Sequence, residues 1–328
     1  MPLPIRSVLI ASDLSESSDE VLRAAAEIAS LSGAVLHVIH VLEPPPLHLP
    51  GAADGALDVE ARLQTARLAL AEQLRRTATR QAAKSAHTAL DAPHRAIRER
   101  AREVGADLIV IGANRGRDLG DHLLGTTADR LVRTSEAPCL IVRGPVPLPL
   151  RRVLVPTDLS RHSELALAEA FTWATALGLP PTAEDGEPTE VLAFHVIPLL
   201  GAIDLAAPNR EWVAARLRDQ VATARAGVPA AVRLRARVEV TQHTSPAAEI
   251  LRRAGSGTDL LVLGTHGRSA LGRTLIGSVA SEVARRAECP VLLVPPVFEV
   301  AYPRAPAAAG STGGGDEPEP RPAASLLE

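Results

Sequence analysis

Aromatic side chains are nearly absent from this sequence: phenylalanine, tryptophan and tyrosine together make up 2% of its 328 residues. Proteins that bind nucleic acids commonly stack bases on aromatic rings and neutralise phosphates with clustered basic residues. The formal charge of −3 and the lack of long basic runs argue further against a nucleic-acid ligand. Since 46% of the residues are hydrophobic, the core has to be built from Ala, Val, Leu and Ile.

Cysteine and lysine are also scarce. Cys139 and Cys289 are the only cysteines, with no CxxC pair, and Lys84 is the only lysine. We interpret the two cysteines as small buried hydrophobic residues in a reducing compartment. Lys84 has no Gly-Lys-Ser/Thr context, which excludes a P-loop.

Membrane and catalytic signatures are missing as well. No stretch approaches the ~18–20 apolar residues of a membrane span, and the N-terminus lacks the pattern of a signal peptide. The sequence contains no HExxH helix, no GxSxG elbow and no GxGxxG after the first strand. We therefore predict a cytoplasmic protein with no membrane partner, no catalytic residue and no protein metal site.

The chain repeats itself, and the repeat defines its organisation. Three pairs of segments match in the same order: SVLIASDLSE at 7–16 with RVLVPTDLSR at 152–161, DLIVIG at 107–112 with DLLVLG at 259–264, and LLGTTADRLV at 123–132 with LIGSVASEVA at 275–284. We predict a first domain over 1–145, a second over 146–298 and a disordered tail over 299–328.

Strand and helix patterns alternate within each copy, which predicts an α/β fold. We expect two doubly wound, Rossmann-like domains, each a five-stranded parallel sheet of order 3-2-1-4-5 with helices on both faces. In the first copy the pattern predicts a long helix over 58–83 and a weak strand over 86–90.

The sharpest motif is Gly264-Thr265-His266-Gly267, followed after nine residues by Gly277-Ser278. It begins where a predicted strand ends and finishes where a helix starts. Glycines let the backbone approach an anion closely, and loop amides and the helix dipole attract a phosphate. For His266 we expect exposure with an occasional phosphate contact, and Arg268 is either a phosphate partner or a solvated side chain.

Asp158, just past the first strand of the second copy, has two interpretations. Its carboxylate can accept hydrogen bonds from ribose hydroxyls or position an adenine edge, or it can cap the next helix together with Ser160. The expected strand order favours the first interpretation. Its switch point lies between the first and fourth strands, so Asp158 and the glycine loop converge on one crevice.

Together VLVPTDLS, FHVIP and GTHGR…GSVA…CPVLLVP resemble the universal stress protein family, and the resemblance extends to about residue 297. It implies ATP as ligand. A triphosphate can carry Mg²⁺, for which the sequence specifies no preformed protein site. By this resemblance Asp158 contacts ribose and base, the backbone of Val196 faces the adenine edge, and the glycines and Ser278 hold phosphates. The implied nucleotide-binding set is Pro156, Thr157, Asp158, Val196, Gly264, Thr265, His266, Gly267, Arg268, Gly277, Ser278 and Val279.

The first copy departs from the family pattern, because Arg115 stands where the second copy has Gly267 and Gly116 comes one position late. Arg115 either blocks close backbone approach or reaches a phosphate with its guanidinium. We predict weaker nucleotide binding in this copy. The corresponding residues are Ala11, Ser12, Asp13, Val41, Gly112, Arg115, Gly116, Gly125 and Thr126.

The leading hypothesis is an ATP-binding stress-response protein that acts by binding rather than catalysis. The alternatives are a nucleotide-independent scaffold and a slow ATPase. We expect His40 and His195 to be ordinary strand-end residues. From the resemblance and from the exposed edges, we expect Pro138–Val142 and Pro290–Val294 to pair as an internal pseudo-dimer, whereas association between chains stays open.

Overall fold

A computed structural model describes residues 5–44, 59–79, 82–113, 124–180, 186–199, 210–266 and 276–296. These residues form ten strands and eight helices, which alternate within each half of the chain. Within these ranges, no helix is both long enough and apolar enough to cross a bilayer. The predicted tail over 299–328 lies outside the described residues.

The first half consists of β1 (Ser7–Ser12), α1 (Glu16–Ser32), β2 (Val35–Leu42), α2 (Val59–Arg76), β3 (Ala83–Leu90), α3 (Pro93–Glu103), β4 (Leu108–Gly112), α4 (Thr126–Thr134) and β5 (Cys139–Val142). The second half consists of β6 (Arg152–Pro156), α5 (Arg161–Leu177), β7 (Thr189–Pro198), α6 (Arg210–Arg225), β8 (Leu234–His243), α7 (Pro246–Ala254), β9 (Leu260–Gly264), α8 (Ser278–Arg286) and β10 (Val291–Val294).

The strands lie in one sheet of order β3-β2-β1-β4-β5-β10-β9-β6-β7-β8. The predicted order 3-2-1-4-5 is therefore found within each half, and the α/β class is confirmed. The prediction of two separate parallel sheets was wrong, because β5 and β10 pair antiparallel and join the halves into one mostly parallel sheet. The merger covers the edge that each half would otherwise expose.

The junction between the halves confirms the expected pairing of the last strands. Leu140 lies opposite Leu292, which is its own counterpart in the repeat, so the two halves are related by a pseudo-twofold axis at this pair. Both leucines belong to the hydrophobic core on one face of the sheet, where α1 and α5 also pack. Their neighbours Ile141 and Val291 belong to the core on the other face. Each core therefore runs through both halves.

The long helix predicted over 58–83 was too long, because α2 ends at Arg76 and β3 begins at Ala83. Two threonines and a backbone turn account for the stop. The hydroxyls of Thr77 and Thr79 lie 2.8 Å apart, and Ala78 between them has a φ of 57°. A left-handed residue cannot continue a right-handed helix.

Candidate functional site

The turn between β6 and α5 carries Asp158, and its own side chains fix its shape. The Leu159 amide donates to Thr157 Oγ1 at 3.1 Å, and the Ser160 amide donates to Asp158 Oδ1 at 3.0 Å. Leu159 has a φ of 64°, a left-handed conformation that leucine rarely adopts. The helix cap is Ser160, whose hydroxyl accepts from the Ser163 amide. Asp158 therefore shapes the turn that precedes the cap and is not itself the cap.

The turn between β1 and α1 repeats this geometry in the first half. The Leu14 amide donates to Ser12 Oγ at 3.0 Å, and the Ser15 amide donates to Asp13 Oδ1 at 3.0 Å. Leu14 also has a φ of 64°. The repeat therefore preserves an acidic turn with a strained leucine, which the sequence alone did not reveal.

A buried histidine of the second strand holds each turn in place. His195 Nδ1 lies 2.7 Å from the Thr157 carbonyl oxygen, and His40 Nδ1 lies 2.9 Å from that of Ser12. A carbonyl can only accept, so the proton sits on Nδ1 in both rings. Both histidines therefore lie at strand ends as expected, and each has a structural role there, because its ring holds the adjacent turn. Sequence reasoning did not predict these hydrogen bonds, although the recurrence of a histidine at the same place in both copies pointed to a shared role.

Gly264 ends β9 beside the first turn of α5. A Cβ at this position would lie 3.0 Å from the His162 carbonyl oxygen, so a side chain here requires the helix or the strand to shift by a few tenths of an ångström. His162 also places its ring 5.8 Å from that of His266, centroid to centroid. Sequence reasoning missed His162, which links the turn after β6 to the glycine loop.

The two ends of the glycine loop are held together by backbone bonds. The Thr265 amide donates to the Val294 carbonyl at 2.9 Å, and the Gly277 amide donates to the Thr265 carbonyl at 2.8 Å. Ser278 then begins α8, so the positive end of that helix dipole lies at the loop's closing end. Gly267 and Arg268 lie outside the described residues.

Val196 presents backbone groups at the same place. The Thr157 amide donates to the Phe194 carbonyl, so the N–H and C=O of Phe194 point toward β6. Alternate residues of a strand point their backbone groups to the same side, so those of Val196 point that way too. β6 pairs with β7 only as far as Phe194, whereas β7 continues to Pro198. The Val196 groups therefore face the space beyond the end of β6.

These segments emerge together at the carboxyl ends of β6 and β9, and the region between them is here called the second crevice. The two strands are parallel neighbours, so the Asp158 turn and the glycine loop emerge at the same edge of the sheet. The predicted convergence is confirmed. It unites the described members of the predicted set, namely Pro156, Thr157, Asp158, Val196, Gly264, Thr265, His266, Gly277, Ser278 and Val279. Their contact with a nucleotide stays a prediction.

The equivalent first crevice, at the carboxyl ends of β1 and β4, encloses about 710 Å³. That volume is typical of sites for small molecules and cofactors. Its lining includes every described member of the predicted weaker site, namely Ala11, Ser12, Asp13, Val41, Gly112, Gly125 and Thr126. Arg115 and Gly116 lie outside the described residues.

Charge distinguishes the two crevices. Besides Asp13, the carboxylates of Glu16, Glu20 and Glu43 line the first crevice. In the repeat, the positions of these three glutamates correspond to Arg161, Leu165 and Pro198 in the second half. The substitutions make the first crevice a poorer environment for a phosphate chain.

One arginine links the first crevice to the second half of the chain. Arg143 lines the first crevice and directly follows β5. Its guanidinium donates to the carbonyls of Ala284 and Arg285, in the last turn of α8. This helix begins at Ser278, so the guanidinium reaches the far end of the helix that borders the second crevice.

The described residues form neither a metal site nor an activated thiol. Among the described residues, no group of three or more His, Cys, Asp or Glu side chains could hold a metal ion. Cys139 is buried and Cys289 is half-buried, and both are free thiols. Burial raises the pKa of Cys139 to about 12 and that of Cys289 to about 11, so neither thiol is activated as a nucleophile.

Comparison with known proteins supports one family. The universal stress protein family matches residues 4–143 and again 149–295. A universal stress protein of Mycolicibacterium smegmatis is 30% identical over 305 residues, which cover 88% of this chain and 97% of that protein. A universal stress protein from Archaeoglobus fulgidus has the same fold, with a TM-score of 0.59 at 20% identity over 88% of this chain and 98% of the other. The chain therefore belongs to the universal stress protein family and carries two copies of its domain.

Proposed function

We propose that the chain binds ATP or a related adenine nucleotide in the second crevice and acts in a stress response through contacts that depend on that nucleotide. The observation that carries the proposal is the convergence of the Asp158 turn and the closed glycine loop on one edge of the sheet. Doubly wound folds bind ligands at this kind of switch point.

Each part of the second crevice suits one part of the nucleotide. The amides at the start of α8 and the hydroxyl of Ser278 suit phosphate oxygens. The Asp158 carboxylate suits the ribose hydroxyls, and the backbone of Val196 offers a donor and an acceptor to the adenine edge. Mg²⁺ would accompany the triphosphate, coordinated by phosphate oxygens and water.

The proposed action is binding and not turnover. ATP stabilises whichever conformation it prefers and so changes the surface that a partner meets. We propose the cytoplasm as its location, because free cysteines suit a reducing compartment. A nucleotide-independent scaffold is the second candidate, since the joined sheet holds both halves in a fixed relation. The variant Gly267→Arg, which copies Arg115 of the first half, distinguishes the two candidate functions. A scaffold that needs no nucleotide would keep its cellular function in this variant.

The test is thermal unfolding of the purified chain with and without ATP. Ligand at one hundred times its Kd adds about 2.7 kcal/mol to the free energy of unfolding, so the wild type should melt measurably higher. Asp158→Ala should weaken binding about tenfold through the loss of charged hydrogen bonds. Asp158→Asn is the control for the turn, because its amide oxygen still accepts from Ser160. A wild-type melting temperature that ATP leaves unchanged would refute the proposal.

A further inference from the structure

The second half has another cleft, at the amino ends of its strands and thus at the edge opposite the second crevice. It encloses about 490 Å³ between the starts of β6, β7 and β8 and the end of α7. Five arginines line it, and we call it the arginine cleft. They are Arg151, Arg152, Arg235, Arg237 and Arg253. The carboxylates in its lining are those of Glu187 and Glu190.

Three of the arginine side chains are held by the protein. Arg237 pairs with Glu190 at 3.3 Å, and Arg253 pairs with Glu239 at 3.3 Å. Arg152 Nη1 donates to a backbone carbonyl at 3.3 Å. These contacts position guanidinium groups at the wall of the cleft before any ligand arrives, which lowers the entropic cost of binding one.

The backbone that carries Arg151 and Arg152 is fixed as well. Their amides donate to Asp259 Oδ2 at 2.7 and 2.8 Å. This carboxylate is therefore engaged by the backbone, just as Glu239 is engaged by Arg253. The five arginines therefore face four carboxylates, those of Glu187, Glu190, Glu239 and Asp259, so the cleft keeps an excess of positive charge.

The remaining two arginines supply the donors that a ligand would use. Within the described ranges, the side chains of Arg151 and Arg235 form no ion pair and no hydrogen bond. Both residues are exposed and line the same cleft. A guanidinium presents a planar fork of donors that matches phosphate oxygens in bidentate geometry.

We propose that the arginine cleft binds a compact polyphosphate anion, independently of the nucleotide in the second crevice. The first half keeps Arg6 in the place of Arg151 but lacks other members of the cluster. At the equivalent positions of the first half, Ser7 replaces Arg152 and Ser85 replaces Arg237. The two copies of the repeat therefore differ in charge at this edge of the sheet.

The experiment is calorimetric titration of the full chain with inorganic tripolyphosphate. Arg151→Gln combined with Arg235→Gln removes the two unpaired guanidinium groups without breaking any hydrogen bond or ion pair among the described residues. We expect about tenfold weaker tripolyphosphate binding in this double variant, because charged hydrogen bonds to phosphate are lost. The matched control is Arg216→Gln with Arg218→Gln, two exposed arginines of α6 that do not line the cleft.

The outcomes separate this proposal from the proposed nucleotide function. The proposal predicts that the ATP-induced rise in melting temperature is the same in the cleft variant and in the wild type. If tripolyphosphate binds both double variants with wild-type affinity, the anion sits elsewhere and the proposal is overturned. An absence of tripolyphosphate binding to the wild type overturns it too, whatever ATP does.

Discussion

The first and second crevices share their backbone and differ in their charges. In both, a histidine of the neighbouring strand donates to the carbonyl before an aspartate, and a left-handed leucine follows. Around this common turn, Glu16 and Glu43 of the first crevice replace Arg161 and Pro198 of the second. A duplicated fold can thus keep the backbone geometry of a turn while the surrounding side chains change the charge of the crevice beside it.

The largest difference should appear at the glycine that ends the fourth strand of each half. Alanine at 264 would place its Cβ 3.0 Å from a backbone oxygen of His162, whereas alanine at 112 would meet only a side-chain methyl of Val21 at 3.4 Å. We expect Gly264→Ala to lower the free energy of unfolding by about 2 kcal/mol and to weaken ATP binding, because the strand or the helix must shift. Gly112→Ala should cost under about 1 kcal/mol.

Denaturant unfolding measures the free energy of unfolding that each of these two variants loses. Trp173 and Trp212 both lie in the second half, so tryptophan fluorescence reports Gly264→Ala, and circular dichroism reports Gly112→Ala. Equal losses in the two variants would contradict the difference in packing at these glycines.

The next difference concerns an ion pair between α1 and α2. Asp19 of α1 accepts two hydrogen bonds from Arg76 of α2, both at 2.8 Å, and a third from Gln73. We expect Asp19→Asn to destabilise the first half by about 1.5 kcal/mol, because hydrogen bonds to a charged group are lost. The matched control is Glu164→Gln, whose carboxylate accepts from Gln220 at the corresponding place in the second half.

The same pair sets a dependence on pH. The Arg76 hydrogen bond, helped by Gln73, holds the pKa of Asp19 below its usual value. A lowered native pKa adds stability above the unfolded pKa of about 4, and that stability is lost as the pH falls through the native pKa. Acid titration of Asp19→Asn should therefore show a smaller loss of stability below about pH 4 than the wild type. Identical acid curves for the two chains would contradict this role.

Removing charge from the first crevice should raise its affinity for ATP. In a chain carrying Asp158→Ala, we expect Glu16→Gln with Glu43→Gln to strengthen ATP binding about fivefold, since repulsion of the phosphates falls. Higher salt should strengthen the binding of ATP to the parent crevice through screening. Glu27→Gln with Glu99→Gln is the control, because these exposed glutamates of α1 and α3 lie outside the crevice. Calorimetry in which both pairs behave alike would exclude a local charge effect.

The smallest effect is a difference in thiol labelling. Since Cys139 has a pKa of about 12 and Cys289 of about 11, the thiolate fraction of Cys139 at pH 8 is about tenfold lower. Alkylation of the native chain, followed by mass spectrometry, should modify Cys289 first and both residues slowly. ATP should slow the labelling of Cys289 more, because that residue lies in the half with the second crevice. Faster modification of Cys139 would contradict its burial.

The central strands could be predicted from sequence because they are short runs of buried aliphatic residues. The last strands were expected within 138–142 and 290–294, and β5 and β10 occupy 139–142 and 291–294. The end of α2 could not be predicted, because it depends on the φ of Ala78 and not on a change in the hydrophobic pattern of the sequence. The convergence of Asp158 with the glycine loop followed from strand order. The acidic lining of the first crevice did not follow from strand order, since Glu16 and Glu43 come to line one crevice only when α1 packs beside β2.

The Leu140–Leu292 pair determines where the two copies can be reached from outside. Adjacent antiparallel strands point their carboxyl ends in opposite directions, so the two crevices open on opposite rims of the ten-stranded sheet. A partner that docks on one rim would therefore meet one crevice alone. The same reversal brings the acidic first crevice and the arginine cleft onto a shared rim, giving that side of the molecule a negative half and a positive half.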